Sequence, residues 1–291
     1  MCLTSLEFTA KYWLAVLLVS LLLVPTWEVN AQARTDLRIG TTPVFLDDQL
    51  AFTAAWQQYL ERKTQHRLVF VRRASYGEVV ELLQRGQIDF AWLCGYPYVR
   101  NKRDFRLLAV PVFHGKPLYQ SYLIVPKEDH KTREILDLRD KVFAYSDPNS
   151  NSGWLVPQHT LRRAGIEPAS FFRKAFFTWG HRKVVQAVAD GLADGGAVDG
   201  YVWETLALQH PALTVKTRVA QKSPDFGFPP LVANRNVSEN DFVRLQNALL
   251  EMHNDAEGRV LLAKLNLDKF ISGDDDLFSG IESMMRFVTA N

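Results

Sequence analysis

The sequence predicts an α/β protein of two lobes, each a mostly parallel sheet flanked by helices, with a ligand cleft between the lobes. Three observations lead to this class. Strand-like and helix-like runs alternate in two cycles, a long apolar run separates the cycles, and polar residues gather where strand-like runs end. Ligands of such sheets bind beyond the carboxyl ends of the strands, so these polar residues predict a binding rim.

The first cycle follows the N-terminal segment. Its hydrophobic spacing predicts, in order, a strand over Leu37–Gly40, a helix over Gln49–Lys63, a strand over Leu68–Val71, a helix over Tyr76–Arg85 and a strand over Ile88–Leu93. Gly86 ends the second helix. We expect the loops Thr41–Asp48 and Cys94–Tyr98 to share one rim of the cleft.

The second cycle follows a long strand, Tyr119–Pro126, which we interpret as a crossing between lobes. The predicted elements are a strand over Val142–Tyr145, a helix over Leu155–Ala164, a strand over Ala175–Thr178, a helix over His181–Ala189 and a strand over Ala197–Val202. The chain then returns to the first lobe, with a strand over Leu231–Ala233 and helices over Glu239–Asp255 and Ala256–Leu265. The predicted domains are therefore lobe 1 over 34–123, lobe 2 over 124–205, and a return with C-terminal helices over 206–291.

Residues 1–33 have the pattern of a secretory signal peptide. Lys11 precedes an apolar core at Leu14–Pro25, and Ala31-Gln32-Ala33 provides a small-x-small cleavage site. The apolar core is shorter than the roughly 20 residues of a membrane-spanning helix. We expect an exported, soluble protein cleaved near Ala33; retention as an uncleaved anchor is the alternative.

Composition argues against nucleic acid or a membrane surface as the main partner, and against an intrachain disulfide. The chain is 47% hydrophobic, which is enough for a large core, and its formal net charge is only +2. A small net charge argues against nucleic acid or a membrane surface as the main partner, since both require concentrated positive charge. Cys2 lies in the predicted signal, so Cys94 is left without an intrachain disulfide partner.

The segment Ser146–Gly153 predicts an anion site. It lies between a strand and a helix, and the first N–H groups of a helix have no intrahelical partner and carry the positive end of the helix dipole. Ser150, Asn151 and Ser152 add side-chain donors. The alternative is a serine N-cap within an ordinary polar turn.

Other candidate site residues also follow strands. His181 heads a helix, where it either contacts ligand or is a buried, hydrogen-bonded histidine. Tyr96 and Tyr98 face the cleft or pack in the core. Asp199 either accepts from a ligand or has a structural role at a strand end.

Several segments together resemble one family. They include residues 86–91, 122–125 and 143–157, then His181 with Val184, Ala187 and Val188, the run Gly191–Asp199, and the late Gly273-Asp274-Asp275-Asp276. In this order they resemble the periplasmic phosphate, phosphite and phosphonate substrate-binding proteins, the PhnD-like family of two-lobed receptors.

The resemblance implies a type II periplasmic binding protein fold, a periplasmic location, a small oxyanion ligand and an ABC permease as membrane partner. It places the family's oxyanion cradle on Ser150, Asn151 and Ser152, with an amide at the middle position where the family has a hydroxyl. It also implies ligand contacts in the first strand-to-helix loop, at Thr41, Thr42 and Phe45. A threonine there can equally cap the helix. Arg182 and Lys183 follow His181, so an aminoalkyl phosphonate is a poor match unless Asp199 receives its ammonium.

Cys94 leaves two functions open. Free cysteine is usually a buried, inert apolar group. A thiol at a strand end on the cleft rim also suits a thiophilic ligand, and the chain is similar to the arsenite-sensing branch of the same family, in which receptors report to a membrane histidine kinase. That resemblance implies arsenic contact at Cys94.

Enzymatic alternatives have less support. No Gly-x-Ser-x-Gly, His-Glu-x-x-His or Cys-x-x-Cys pattern occurs, and we expect neither a cofactor nor a metal site. A nucleophilic pair of Cys94 and His181 across the cleft remains conceivable, as a cysteine-dependent enzyme.

Overall fold

Two mixed β-sheets form the framework of the part of the chain that the structure, a computed structural model, describes: residues 36–42 and 50–290. The predicted signal peptide and Phe45 lie outside these residues. The strands of the first sheet, in spatial order, are β13 (Lys269–Ile271), β4 (Phe105–Val112), β12 (Leu231–Asn234), β3 (Phe90–Trp92), β1 (Asp36–Thr41) and β2 (Arg67–Arg72). Those of the second sheet are β10 (Thr217–Lys222), β6 (Ser121–Pro126), β9 (Gly195–Asp199), β7 (Val142–Tyr145) and β8 (Lys174–Phe177).

Each sheet has a parallel part built as predicted. In the first sheet β1 pairs in parallel with β2 and β3, and in the second β7 pairs in parallel with β8 and β9. The remaining pairs are antiparallel, and β4 and β13 were not predicted. Each sheet is therefore mixed, because strands that return from elsewhere in the chain extend the parallel part.

Helices cover the sheets. Their bounds are α1 (Leu50–Thr64), α2 (Tyr76–Gln84), α3 (Gly95–Arg100), α4 (Val156–Arg163), α5 (Pro168–Phe171), α6 (His181–Ala189), α7 (Gly200–Gln209), α8 (Pro211–Thr214), α9 (Glu239–Leu250), α10 (Ala256–Lys264) and α11 (Ser279–Ala290). Short 3₁₀ turns occur at Ile135–Leu138, Met252–Asn254 and Asp275–Phe278, and one π turn at Asn151–Leu155. The C-terminal helix α11 packs against both α3 and α4, so it contacts elements of both lobes.

The two crossings between the lobes pair with each other. Strand β5 (Leu118–Tyr119) and strand β11 (Phe226–Gly227) form an antiparallel two-stranded ribbon. The second lobe therefore lies between these strands and includes β10. Our prediction that the chain returns to the first lobe at residue 206 is wrong. Residues Thr217–Lys222 still belong to the second lobe, because they pair with β6 in the second sheet.

Each lobe has its own buried apolar residues. Phe90, Trp92 and Leu108 are at most 1% exposed in the first lobe, and Phe143 and Phe171 are equally buried in a separate second-lobe cluster. The larger apolar cluster continues into the second lobe, where it includes Ile124, Val184 and Val198. The carboxyl ends of the parallel strands meet at the junction of the lobes, since Cys94 after β3 contacts Asn151 after β7. Within the described ranges, no helix has both the length and the apolar character needed to cross a bilayer.

Candidate functional site

A tight turn between β7 and α4 forms the centre of the candidate site. Ser150 is the N-cap of the π turn, and its hydroxyl accepts a 2.9 Å hydrogen bond from the N–H of Gly153. Ser150, Asn151 and Ser152 are all fully buried. Gly153 must be glycine, since a Cβ there would lie 1.9 Å from Oγ of Ser146. The serine N-cap alternative is thus part of the structure, and the turn nevertheless faces the interior between the lobes.

Besides the N–H of Gly153, two further backbone N–H groups of this turn are already engaged by the protein. The N–H of Ser150 donates to the carbonyl of Asp147 at 2.9 Å, and that of Asn151 donates to Sγ of Cys94 at 3.2 Å. We expected backbone N–H groups to be the main donors to a ligand, and in this structure these two N–H groups already have acceptors in the protein. Side-chain hydroxyls are the free donors of the turn, and the N–H of Asn151, whose sulfur acceptor is weak, is the backbone donor that a ligand oxygen can take over.

Buried polar atoms without a hydrogen-bond partner in the described residues cluster around the turn. They are Oη of Tyr76, Oγ of Ser146, Oδ1 of Asn151, Oγ of Ser152 and Oδ2 of Asp199. Their residues are at most 1% exposed. Nearly all buried polar groups in proteins are hydrogen-bonded, because an unpaired one costs about 1–3 kcal/mol. Several in one place are the signature of a chamber built for a polar ligand.

His181 joins the turn as a neutral donor. Its Nδ1 accepts the N–H of Asp199 at 3.0 Å, so in the neutral ring the proton is on Nε2, which lies 3.5 Å from Oγ of Ser150. Complete burial lowers the pKa of His181 to about 3. The structure therefore has the buried, hydrogen-bonded alternative, with Nε2–H directed to the cradle, and ligand contact by His181 stays a prediction.

Asp199 ends β9 and caps α7. Its Oδ1 accepts the N–H groups of Tyr201 at 2.9 Å and Val202 at 3.4 Å. The predicted strand Ala197–Val202 is wrong at its end for this reason, since the cap starts a helix at Gly200. Burial raises the pKa of Asp199 to about 7.

Cys94 contributes a thiol to the junction of the lobes. It is 1% exposed and precedes α3, a helix where the sequence predicted a loop. Desolvation by burial raises its pKa to about 11, so the sulfur is a protonated thiol at neutral pH. Its polar contacts are the backbone N–H groups of Asn151 and Tyr96 and the Tyr119 hydroxyl, and His181 is not among them, which leaves the nucleophilic pair without its hydrogen bond.

The other first-lobe candidates divide between cleft and core. The ring of Tyr96 stacks 5.9 Å from that of Trp154 in the second lobe, so it lies where the lobes meet. Tyr98 packs in the core against Phe278 and donates its hydroxyl to Asp275. Thr42 is 3% exposed and donates to the carbonyl of Trp92 at 3.2 Å, which is a structural contact at the end of β3.

Two tyrosines that the sequence did not single out complete the chamber. The Tyr119 hydroxyl accepts from Nδ2 of Asn151 at 2.9 Å, and Tyr76 is fully buried beside Cys94 and Asp199. Burial raises the pKa of both phenols well above the usual value. Tyr76 begins the helix after β2, so the rim argument could have found it. Tyr119 begins the predicted crossing strand, but its contact with Asn151 depends on how the lobes meet.

A carboxylate joins the two lobes beside the chamber. Oδ2 of Asp147 accepts the N–H of Tyr76, the first residue of α2, at 3.0 Å, and Oδ1 accepts the N–H of Asn149 at 2.7 Å. An anion at the N-terminus of a helix is stabilised by the helix dipole. Asp147 therefore ties the cradle of the second lobe to a helix of the first.

Comparisons with known proteins identify the family of the chain. A model of the family described as the phosphonate periplasmic substrate-binding protein of ABC transporters matches residues 39–278. The phosphonates-binding periplasmic protein of Escherichia coli is 25% identical over 281 residues, which cover 93% of this chain and 80% of that protein.

Two solved structures share the fold. A binding protein component of an ABC phosphonate transporter from Pseudomonas aeruginosa has a TM-score of 0.80 at 24% identity, covering 87% of this chain and 86% of its own. PhnD1 from Prochlorococcus marinus, solved with methylphosphonate, has a TM-score of 0.79 at 21% identity, covering 88% of this chain and 98% of its own. The chain belongs to the phosphonate family of periplasmic substrate-binding proteins of ABC transporters.

Proposed function

We propose that this protein captures a small oxyanion of the phosphonate, phosphite or phosphate class in the chamber between its lobes and presents it to an ABC permease. The observation that carries the proposal is the cluster of buried, unpartnered polar atoms around Ser152 and Tyr76. Hydroxyls of Ser146, Ser152 and Tyr76 would donate to ligand oxygens, together with Nε2–H of His181. No lysine or arginine is required, because neutral donors hold a dehydrated anion when each oxygen finds a partner.

Closure of the lobes supplies the signal to the membrane partner. Donors come from both lobes, since Tyr76 belongs to the first and the serines to the second. A ligand that contacts both sets binds the closed form more tightly and shifts the population toward it. The crossing ribbon of β5 and β11 is the natural pivot for this motion.

We expect the signal peptide to be removed on export. Cleavage near Ala33 would release a periplasmic protein that starts near Arg34. The mass of the protein recovered from the periplasm tests this directly, since an uncleaved anchor would keep residues 1–33 and stay with the membrane.

Arsenite sensing through Cys94 has less support. Two relatives that match along most of the chain, the Escherichia coli protein and the Pseudomonas aeruginosa structure, are phosphonate-binding components by name. The thiol is buried and protonated, and it serves as an acceptor for the cradle. Arsenite nonetheless belongs in the binding assay, because binding that depends on Cys94 would overturn this assignment.

Calorimetric titration of the purified protein tests the proposal, with methylphosphonate, phosphite, phosphate and arsenite as ligands. Ser152→Ala is the sharpest variant, because Oγ of Ser152 belongs to the buried cluster of unsatisfied polar atoms and its interaction with the neighbouring Tyr119 hydroxyl is the contact of the fold that the change removes. We expect a loss of affinity of about tenfold or more, as for a hydrogen bond to a charged ligand.

Ser283→Ala, at an exposed position of α11, is the matched control and should bind as the wild type does. The proposal fails if the folded wild-type protein binds none of the three phosphorus oxyanions. It also fails if Ser152→Ala and Ser283→Ala bind them equally well.

A further inference from the structure

One oxygen of the candidate site is an acceptor rather than a donor. Oδ2 of Asp199 is buried and has no hydrogen-bond partner in the part of the chain that is described, while Oδ1 is held by the N–H groups of Tyr201 and Val202. The helix cap fixes the position of the carboxyl group. Oδ2 is therefore a rigid acceptor that lacks a donor.

The groups that face Asp199 carry no positive charge. They come from every element packed around it: Tyr76 of α2, Cys94 before α3, Tyr119 of β5, Tyr122 of β6, His181 of α6 and Tyr201 of α7. The tyrosines and the thiol stay protonated because burial raises their pKa values, and the buried imidazole is neutral. Glu204, which accepts from the Tyr122 hydroxyl, adds only further negative charge. Among residues 36–42 and 50–290, the carboxyl has no counter-cation.

Burial raises the pKa of Asp199 to about 7, so the carboxyl is ionised at pH 8, and a fully ionised oxyanion is a poor partner for it there unless the carboxyl first takes up a proton. It would place two negative charges close together where water is excluded, and repulsion between charges is strong at low dielectric. An oxyanion that retains one acidic proton has a different effect, since its P–O–H donates to the free carboxylate oxygen while its remaining oxygens accept from the cradle.

We propose that Asp199 determines the protonation class of the ligand: the chamber takes oxyanions that bring a proton to Oδ2, such as a phosphonate monoanion, and rejects permanently ionised ones such as sulfonates and sulfate. This inference rests on the proposed function, because it requires an oxyanion in the chamber. In the complex one proton is shared between Oδ2 and a ligand oxygen. That proton comes with the ligand or is taken up from solvent, and no covalent bond to phosphorus changes.

Methylphosphonate and methanesulfonate provide a matched test, because they have nearly the same shape and differ in the ability to carry an acidic proton near neutral pH. At pH 8 we expect the wild type to bind methylphosphonate at least about tenfold more tightly than methanesulfonate. A tenfold difference in affinity is the free energy of a pKa shift of about one unit. In Asp199→Asn the Oδ1 cap is retained and the charge is removed, so the preference should shrink to about threefold or less.

Proton uptake gives a second measurement that needs no variant. Calorimetry of methylphosphonate binding to the wild type in two buffers of different ionisation heat should show uptake of about one proton at pH 8 and much less at pH 6. Equal affinity for the two isosteres, or no proton uptake at pH 8, would overturn the inference. Aminomethylphosphonate binding that is tighter than methylphosphonate binding and lost in Asp199→Asn would also overturn it, since the acceptor would then serve an ammonium.

The outcomes also separate this inference from the proposed function. If the folded wild type binds neither isostere, nor phosphite, the proposed function itself is wrong. If it binds methylphosphonate and methanesulfonate alike, the oxyanion receptor stands and only the role of Asp199 is lost.

Discussion

The backbone N–H of Asn151, in the second lobe, donates a 3.2 Å hydrogen bond to the sulfur of Cys94, in the first. The cradle and the lone cysteine of the described chain are thus linked across the junction. A thiol is a weak acceptor, so this contact is well suited to give way when a ligand oxygen competes for the same N–H.

The first prediction concerns Cys94→Ala. Because the lost hydrogen bond is weak and a phosphonate oxygen can replace it, we expect methylphosphonate affinity to change by no more than about threefold. Titration calorimetry measures the change, and Cys94→Ser serves as the control that retains an acceptor. Loss of all oxyanion binding in the alanine variant alone would show that the sulfur itself contacts ligand.

Asp147 is expected to control how long the lobes stay closed. Asp147→Asn leaves an acceptor for only one of the N–H groups of Tyr76 and Asn149, and it removes the charge at the start of α2. Ligand dissociation should accelerate by about five- to thirtyfold, from a loss of roughly 1–2 kcal/mol. Stopped-flow release of methylphosphonate measures the rate.

Asp137→Asn is the matched control for that experiment. Asp137 also accepts two backbone N–H groups, those of Arg133 and Glu134, but within one turn of the second lobe. Its replacement should leave the release rate unchanged. Equal acceleration in both variants would mean that general destabilisation, and not the contact between lobes, governs release.

Gly153→Ala should abolish binding. The added Cβ would lie 1.9 Å from Oγ of Ser146 and 3.1 Å from Oγ of Ser150, so the turn that presents the hydroxyls must distort. Gly280→Ala, whose Cβ would meet Phe226 at an ordinary 3.6 Å, should bind normally. Normal calorimetric titration of Gly153→Ala would contradict the geometry of the cradle.

Acid should destabilise the fold through His181. Its pKa is about 3 when folded and 6.5 as a free group, so the unfolded chain binds the proton first as the pH falls. The stabilisation is present above pH 6.5 and is lost progressively toward pH 3, by at most roughly 5 kcal/mol. Asn at this position offers an acceptor to the N–H of Asp199 and does not titrate.

Urea unfolding of wild type and His181→Asn at pH 7 and pH 5 measures this effect. The wild type should lose more free energy of unfolding between the two pH values than the variant does. Asp147 and Asp199, whose pKa values burial raises, act in the opposite direction in both proteins and cancel in the comparison. An equal loss in both would exclude His181 as the source.

Local sequence patterns predicted most of the helices and strands of the second lobe. The strand Val142–Tyr145 and the helix His181–Ala189 have the bounds that periodicity predicts. Strand β4, with Pro111 within it, and the last helix, Ser279–Ala290, were not identified. Their apolar residues become interpretable only against partners far away in the chain, since β4 pairs with strands 120 or more residues later.

The sequence by itself determined the class of the fold, the polar turn Ser150–Ser152 and the positions of His181 and Asp199, because these follow from local periodicity and from residues at strand ends. Only the tertiary structure decided that Tyr76, Cys94 and Tyr119 meet that turn, and that Tyr98 and Thr42 have structural contacts instead. The physical reason is distance along the chain. Contacts between residues from two lobes depend on how the lobes close, and no local pattern encodes that closure.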